Sequence, residues 1–378
     1  MKRRGSELNE GNGEESAAPA PDAVASSTAV AVVKRTKVED STALVKVGAP
    51  ASGTQAVVKA KIKRTSGLSH PIIRLTGHTG AVLTCRFDPS GERFATSSSD
   101  HTILLWKTYG DCPNYGILRG HTGPVLDVCW SPGGVQLYSA SSDGMVGIWD
   151  AESGECVKKL KGHDRIVNSC SAKPRFAGHG VVVASGGDDG TIKLWDERQK
   201  HAAQEFENRW PVTSVCFSAD GSIVYSGSID NKITAWDVRA DKPQYTLVGH
   251  SDTVTGIALA PTTGHYLASA SMDNTVRLWD IRPFSTLPTR CEAVYIGAPH
   301  GFEKNLIRPC FSTDESMIAS GSSDRTVVIW ARRGGNIRYK LPGHTGTVNQ
   351  VDWHPREPIV LSASADKTLF LGEVDPEL

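Results

Sequence analysis

Seven aspartates recur down the chain in one setting: Asp100, Asp143, Asp189, Asp230, Asp273, Asp324 and Asp366. Four residues before each stands a hydroxyl, at Thr96, Ser139, Ser185, Ser226, Ser269, Ser320 and Ser362. Six residues after each of the first six stands a tryptophan. Five of the seven are preceded by a Gly-His pair, whose imidazoles are His78, His121, His163, His250 and His344. Serine, histidine and aspartate are the parts of a hydrolytic triad. A triad, however, occurs once, beside an oxyanion hole. This set appears in full four times and in part three times, which points to a framework of hydrogen bonds. A neutral imidazole gives one proton and accepts another, and a buried aspartate needs donors. Removing one member strands its neighbours at a cost of roughly 1–3 kcal/mol. The histidines stand one per repeat, without metal-ligand spacing. No phosphate loop, nucleophile elbow or dinucleotide fingerprint is present. No catalytic residue, cofactor, metal or small-molecule substrate is expected.

These residues are positioned by a repeated unit. Residues 120–150 open on Gly120-His121 and close on Trp149-Asp150, and a near-copy runs over 249–280. A self-similar unit of about 40–45 residues with this start and finish marks a four-stranded propeller blade. Within it, 125–130 reads as a buried inner strand, 136–140 and 146–149 as the next two, and 156–160 as the outer strand. Ser142-Asp143-Gly144 reads as a tight hairpin turn. Counting units gives seven. Blade 4 has Asn208-Arg209-Trp210 in place of Gly-His, blade 6 has only a displaced His300, and blade 7 has Gly372-Glu373 where Trp-Asp would stand. The last unit lacks a fourth strand, and an orphan strand, 72–75, precedes the first Gly-His. The sequence therefore predicts an all-β fold over 70–378: a seven-bladed β-propeller closed by an N-terminal strand, which removes exposed sheet edges.

The chain has 378 residues, with 41 Lys+Arg against 41 Asp+Glu. Residues 1–69 hold 11 basic and 7 acidic side chains, a net of +4, so the remainder carries 30 against 34, a net of −4. That balance argues against bulk electrostatic binding to nucleic acid, so RNA contact is expected to be indirect or minor. Residues 1–69 contain no Phe, Tyr or Trp and read as a disordered tail. Its basic clusters, Lys34-Arg35-Thr36-Lys37 and Lys61-Ile62-Lys63-Arg64, suit nuclear targeting. Eight scattered cysteines and a start without an apolar core predict a reduced intracellular setting and no membrane association. Cys85, Cys129, Cys216 and Cys310 are read as equivalent small apolar residues of four repeats.

Departures from the repeat are where a binding surface is expected. The loop 173–180 and the long link 282–305 are two. The residue before the turn aspartate is small or polar in most blades but is Ile229 in blade 4 and Met272 in blade 5. Trp210 lies near the same rim, with Arg165 and Arg209 close by. Large apolar groups beside arginine have the composition of an interface hot spot. These five residues are the candidate protein-docking patch, on blades 3–5.

Five inter-blade strings carry a more specific likeness: Tyr109-Gly110-Asp111-Cys112 with Asn114-Tyr115; Val167-Asn168-Ser169-Cys170; Met272-Asp273-Asn274-Thr275-Val276-Arg277 with Arg282-Pro283-Phe284; Phe302-Glu303-Lys304-Asn305-Leu306; and Tyr339-Lys340-Leu341-Pro342-Gly343-His344. Through them residues 70–374 resemble the WD-repeat subunits of the U5 small nuclear ribonucleoprotein. The resemblance implies a nuclear, non-catalytic scaffold of pre-mRNA splicing, whose partners are the large spliceosomal scaffold protein and other proteins of that particle. An alternative stays open. Trp236-Asp237-Val238-Arg239 and Trp279-Asp280-Ile281-Arg282 carry a pattern common in WD-repeat substrate receptors of cullin-type ubiquitin ligases. A chromatin-complex adaptor is the other member of that alternative class.

Overall fold

The computed structural model describes residues 66–174, 181–285 and 287–374. The two basic clusters and most of the loop 173–180 lie outside the described residues. Among the described residues twenty-eight strands form seven four-stranded antiparallel sheets. Strand β1 (Ile72–Thr76) precedes blade 1, which holds β2 (Val82–Phe87), β3 (Arg93–Ser98), β4 (Thr102–Lys107) and β5 (Asn114–Arg119). Blade 2 holds β6 (Val125–Trp130), β7 (Gln136–Ser141), β8 (Met145–Asp150) and β9 (Cys156–Lys161). Blade 3 holds β10 (Val167–Ala172), β11 (Val181–Gly187), β12 (Thr191–Asp196) and β13 (Gln204–Glu207). Blade 4 holds β14 (Val212–Phe217), β15 (Ile223–Ser228), β16 (Lys232–Asp237) and β17 (Lys242–Val248). Blade 5 holds β18 (Val254–Leu259), β19 (Tyr266–Ser271), β20 (Thr275–Asp280) and β21 (Cys291–Ile296). Blade 6 holds β22 (Pro309–Phe311), β23 (Met317–Gly321), β24 (Val327–Ala331) and β25 (Ile337–Leu341). Blade 7 holds β26 (Val348–Trp353), β27 (Ile359–Ser364) and β28 (Thr368–Glu373). The fold is a seven-bladed propeller, as the repeat predicts.

Its fourth strand in blade 7 is β1, which pairs antiparallel with β28 from Ile72↔Gly372 to Thr76↔Thr368. Packing begins before residue 70. Leu68 is buried in the blade 7–blade 1 core, and the Gly67 N–H donates to Glu357 Oε2 at 2.9 Å. One apolar residue in a polar stretch carries no periodicity, so the sequence boundary at 69/70 misses this anchor. Cys85 also differs from its sequence reading. It pairs with Thr96, whereas Cys129 pairs with Tyr138, the residue before the equivalent hydroxyl, so Cys85 sits one position earlier.

Seven apolar clusters fill the seven gaps between neighbouring blades. The inner strands need more than apolar packing, because their outer N–H groups face no strand. A side chain from the preceding blade caps them. Cys170 N donates to Asp127 Oδ2 (3.0 Å), Val215 N to Ser169 Oγ (3.3 Å), Ile257 N to Ser214 Oγ (3.0 Å) and Phe87 N to Asp352 Oδ2 (2.8 Å). Buried amides left without such partners would cost about as much as a lost hydrogen bond.

Arg308, just before β22, reaches across the ring. It forms an ion pair with Asp127 of blade 2 and donates to the Asn168 carbonyl of blade 3 at 2.8 Å. Both charged side chains are almost wholly buried. Gly256 makes room: a Cβ there would lie 2.7 Å from Arg308 Cα. Removing one partner of a buried pair leaves an uncompensated charge, worth roughly 3–5 kcal/mol. Arg308→Ala is therefore expected to lower urea stability by about 3–5 kcal/mol, and a paired Asp127→Asn, Arg308→Leu variant by clearly less. Equal losses in the two variants would show that the pair is not the source.

Candidate protein-binding rim

In blades 1, 2, 3 and 5 the repeated polar residues form one chain of hydrogen bonds. In blade 2 the Trp149 indole donates to Ser139 Oγ at 2.8 Å, Ser139 lies 2.7 Å from His121 Nε2, and His121 Nδ1 lies 2.9 Å from Asp143 Oδ2. The donors fix the order: indole N–H to hydroxyl, hydroxyl to Nε2, Nδ1–H to carboxylate. His78, His163 and His250 repeat it with Thr96, Ser185 and Ser269 and with Asp100, Asp189 and Asp273. The hydroxyls are fully buried beneath indole rings, where no substrate could reach them. In blade 7, His344 bridges Ser362 and Asp366, and Phe370 takes the place of the missing indole, edge-on to His344 at 4.6 Å between ring centroids.

The aspartates do a second job that needs no histidine. In every blade Oδ1 accepts the N–H two residues on, from Thr102, Met145, Thr191, Lys232, Thr275, Thr326 and Thr368, at 2.9–3.2 Å. The residue between is left-handed in all seven, and only Gly144 and Gly190 are glycines. Such a turn suits a side chain that bonds its own backbone two residues on. Asp230 and Asp324 therefore persist without the relay. Asp230 faces no histidine, and the blade 4 Trp236 still donates to Ser226 at 2.8 Å. Asp324 pairs with Lys340 at 2.6 Å, while Trp330 donates to the Ile296 carbonyl instead of to Ser320. His300 joins no such chain; its N–H donates to Asn274 Oδ1 of blade 5 at 2.6 Å.

Burial works against ionising these aspartates, but the bond from histidine and the backbone donors outweigh it. Asp143 is lowered from 3.8 to about 2. Asp100, Asp189, Asp273 and Asp366 are also held well below the carboxylate range. A lowered folded value means stability present above the unfolded value and lost as pH falls through the folded one.

The same network orders the rim where the Gly-His links and the Asp turns meet. Trp210 is 46% exposed and Ile229 is 40% exposed. They are neighbours there, because the Ile229 N–H donates to the Pro211 carbonyl at 3.3 Å. Arg209 is exposed beside Trp210. Met272 is half-buried one blade further on, its N–H bonded to Thr253 of the blade 5 link at 2.9 Å. Arg165 is exposed on the blade 3 link, next to Ile166. Those two residues line a shallow cleft of about 340 Å³ with Ser142 and Gly144 of blade 2 and Asp164 and Asp188 of blade 3. Trp210, Arg209 and Ile229 thus form the centre of the predicted patch, with Met272 and Arg165 to either side of it. Ile166 went unnoticed in the sequence, and the fully exposed Phe302 on the blade 6 rim lies in the link 282–305 singled out there but was not among the patch residues. Phe302 stood in a string that could be read for likeness but not for exposure. Arg282 is held in its own turn, with Nε and Nη2 on Asp280 at 2.9 and 2.7 Å. Among the described residues no group of three or more His, Cys, Asp or Glu could hold a metal.

A closed ring of seven such blades, each built round its Asp turn, defines a WD-repeat protein. The family model "WD domain, G-beta repeat" matches 69–107, 113–150, 154–196, 203–237, 241–280, 306–331 and 335–371, and the chain belongs to that family and to its U5 small nuclear ribonucleoprotein 40 kDa branch. It is 52% identical over 330 residues to the "U5 small nuclear ribonucleoprotein 40 kDa protein" of Homo sapiens, covering 86% of this chain and 91% of the relative. The protein of that name from Dictyostelium discoideum is 44% identical over 315 residues, 83% of this chain and 87% of its own. The "Pre-mRNA-splicing factor cwf17" of Schizosaccharomyces pombe is 39% identical over 344 residues, 91% of this chain and 96% of its own.

Two outcomes follow for the relay. Ser139→Ala is expected to cost roughly 1–3 kcal/mol in urea unfolding and Ser226→Ala, whose hydroxyl has no histidine to serve, less. The wild type should lose a term of about 2 kcal/mol from Asp143 between about pH 4 and pH 2, and Asp143→Asn should flatten that part of the stability–pH curve. A curve of unchanged shape in Asp143→Asn would contradict the relay.

Proposed function

We propose that this chain is a non-catalytic protein-interaction scaffold of the U5 small nuclear ribonucleoprotein, acting in pre-mRNA splicing in the nucleus. The observation that carries this is the 52% identity over 330 residues to a relative named for that particle, which covers nearly all of both chains. The geometry is consistent with it. The hydroxyls and imidazoles that could do chemistry are buried, and the half-buried aspartates of the turns are bonded into the same framework, so the chemistry left to the molecule is that of its surface. The partners are the large spliceosomal scaffold protein and other proteins of the particle. Docking on blades 3–5 uses Trp210, Ile229 and Met272 as apolar anchors, with Arg165 and Arg209 supplying charge. With 30 basic against 34 acidic side chains beyond residue 69, the ring meets RNA through its protein partners rather than directly. The basic tail serves import.

Affinity purification from nuclear extract, with the protein and RNA identified, tests the reading. Recovery of U5 RNA with splicing proteins is the expected result; a cullin-type ligase or a chromatin complex instead would overturn it. Ile229→Asp with Met272→Asp should reduce recovery of the direct protein partner at least tenfold, with the melting midpoint unchanged. Undiminished recovery in a folded variant would remove the patch.

A further inference from the structure

The ring has a second surface with unusual chemistry, on its outer wall. Among the described residues each blade ends in an outer strand with one strand neighbour: β1, β5, β9, β13, β17, β21 and β25. Such an edge offers unpaired backbone groups to any passing strand, and proteins blunt it with lysine, arginine, proline or shortness. Six of the seven are blunted in this way. β1 has Arg74, β5 has Arg119, β9 has three lysines, β17 has Lys242 and Pro243, and β25 has Arg338 and Lys340. β13 has only four residues, two of them glutamates. β21 is the exception. It runs Cys291-Glu292-Ala293-Val294-Tyr295-Ile296, with no Lys, Arg or Pro.

Its two faces are sharply divided. Tyr295 is buried against Trp330 of blade 6, 6.0 Å between centroids, and its hydroxyl donates to the Arg332 carbonyl at 2.7 Å. Glu292, Val294 and Ile296 form the exposed row, with Val294 45% and Ile296 70% exposed. An apolar row beside an unblunted edge, pinned from behind, is a template for strand addition.

We propose that β21 is a docking edge that accepts, as a fifth strand of blade 5, an extended segment of a larger partner protein. The segment places a Lys or Arg opposite Glu292 and apolar side chains over Val294 and Ile296. A second copy of this chain fits less well. Six residues span about 20 Å, and pairing along that length buries far less than the ~1,200 Å² of a stable specific interface. The occupant must therefore be held elsewhere as well, as a segment of a larger protein with a second contact on the ring would be. The proposal extends the scaffold reading to a separate surface and does not use the rim patch.

Two measurements on the full chain decide it. The first uses a synthetic nonapeptide of alternating Val, Ile and Thr with one Lys, compared with its scrambled and proline-substituted forms. Amide shifts are read across 291–296. The expected result is saturable shifts confined to β21 and its neighbours, at least tenfold weaker for the control peptides and for Val294→Lys. Equal response to all three peptides, or none, overturns the proposal. The second is hydrogen exchange of the 291–296 amides in the purified U5 particle. At least tenfold slowing is expected. Unchanged exchange in a particle that contains the chain overturns the edge. A chain missing from the particle overturns the scaffold reading instead, and the peptide result then decides the edge alone. Slowing in the free protein that rises with concentration, with dimer mass in sedimentation, would assign the edge to a second copy and also overturn the proposal.

Discussion

A ring of sheets has no interior strand to spare. Each blade buries its apolar faces only against the blade on either side, so every core depends on every other and all depend on closure. Closure rests on five residue pairs between Ile72–Thr76 and the final strand. They join residues nearly 300 apart in the chain, and the Gly67 amide on Glu357 and the buried Leu68 extend the same seam. Without them blade 7 would have three strands, an open edge and one face of its core in water. The apolar clusters supply the bulk of the stabilisation, but they are interchangeable from gap to gap. The polar groups are not, because each relay histidine and each turn aspartate bonds a particular partner.

Much of this was legible in the sequence because the repeat supplies its own controls. Seven copies of an aspartate with a hydroxyl four residues earlier cannot be seven active sites, and counting strands showed that the last blade lacked one that an orphan strand could fill. Less legible was why Asp230 and Asp324 remain where the histidine is gone. The reason is local: their Oδ1 atoms hold the turn itself. Phe370 is similar. It stands two residues before the tryptophan position, which in a strand is the same face, so its ring can fill the indole's space. The Arg308–Asp127 pair had no sequence sign at all. Its hydrogen bonds to blades 2 and 3 span 182 and 140 residues, and no spacing rule reaches that far. The proposed rim patch was read from composition, since apolar residues break the small-or-polar rule before the aspartate. Its relation to Pro211 was not, because that depends on how the blade 4 link folds without Gly-His.

The same economy shapes function. The repeated hydroxyl, imidazole and carboxylate groups are tied into the framework, which fits the proposal that the molecule acts through what projects from it. Two kinds of projection stand out, and they suit different partners. The rim offers compact anchors, Trp210 and Ile229, of the kind that enter a pocket or receive a folded surface. The wall at β21 offers a backbone edge with a side-chain row, which suits an extended segment. A large partner with both folded and extended parts could engage the two together, and the linkage would raise its overall affinity without new contacts on either site.

The claim on which all of this rests is that β1 closes the ring. Hydrogen exchange of the 368–373 amides tests it most directly, compared in chains that begin at residue 66 and at residue 78. The account predicts full-length protection in the first, and in the second a loss that spreads through all three remaining strands of blade 7. Equal protection of those amides in both chains would mean that the ring closes by other means and would contradict the account.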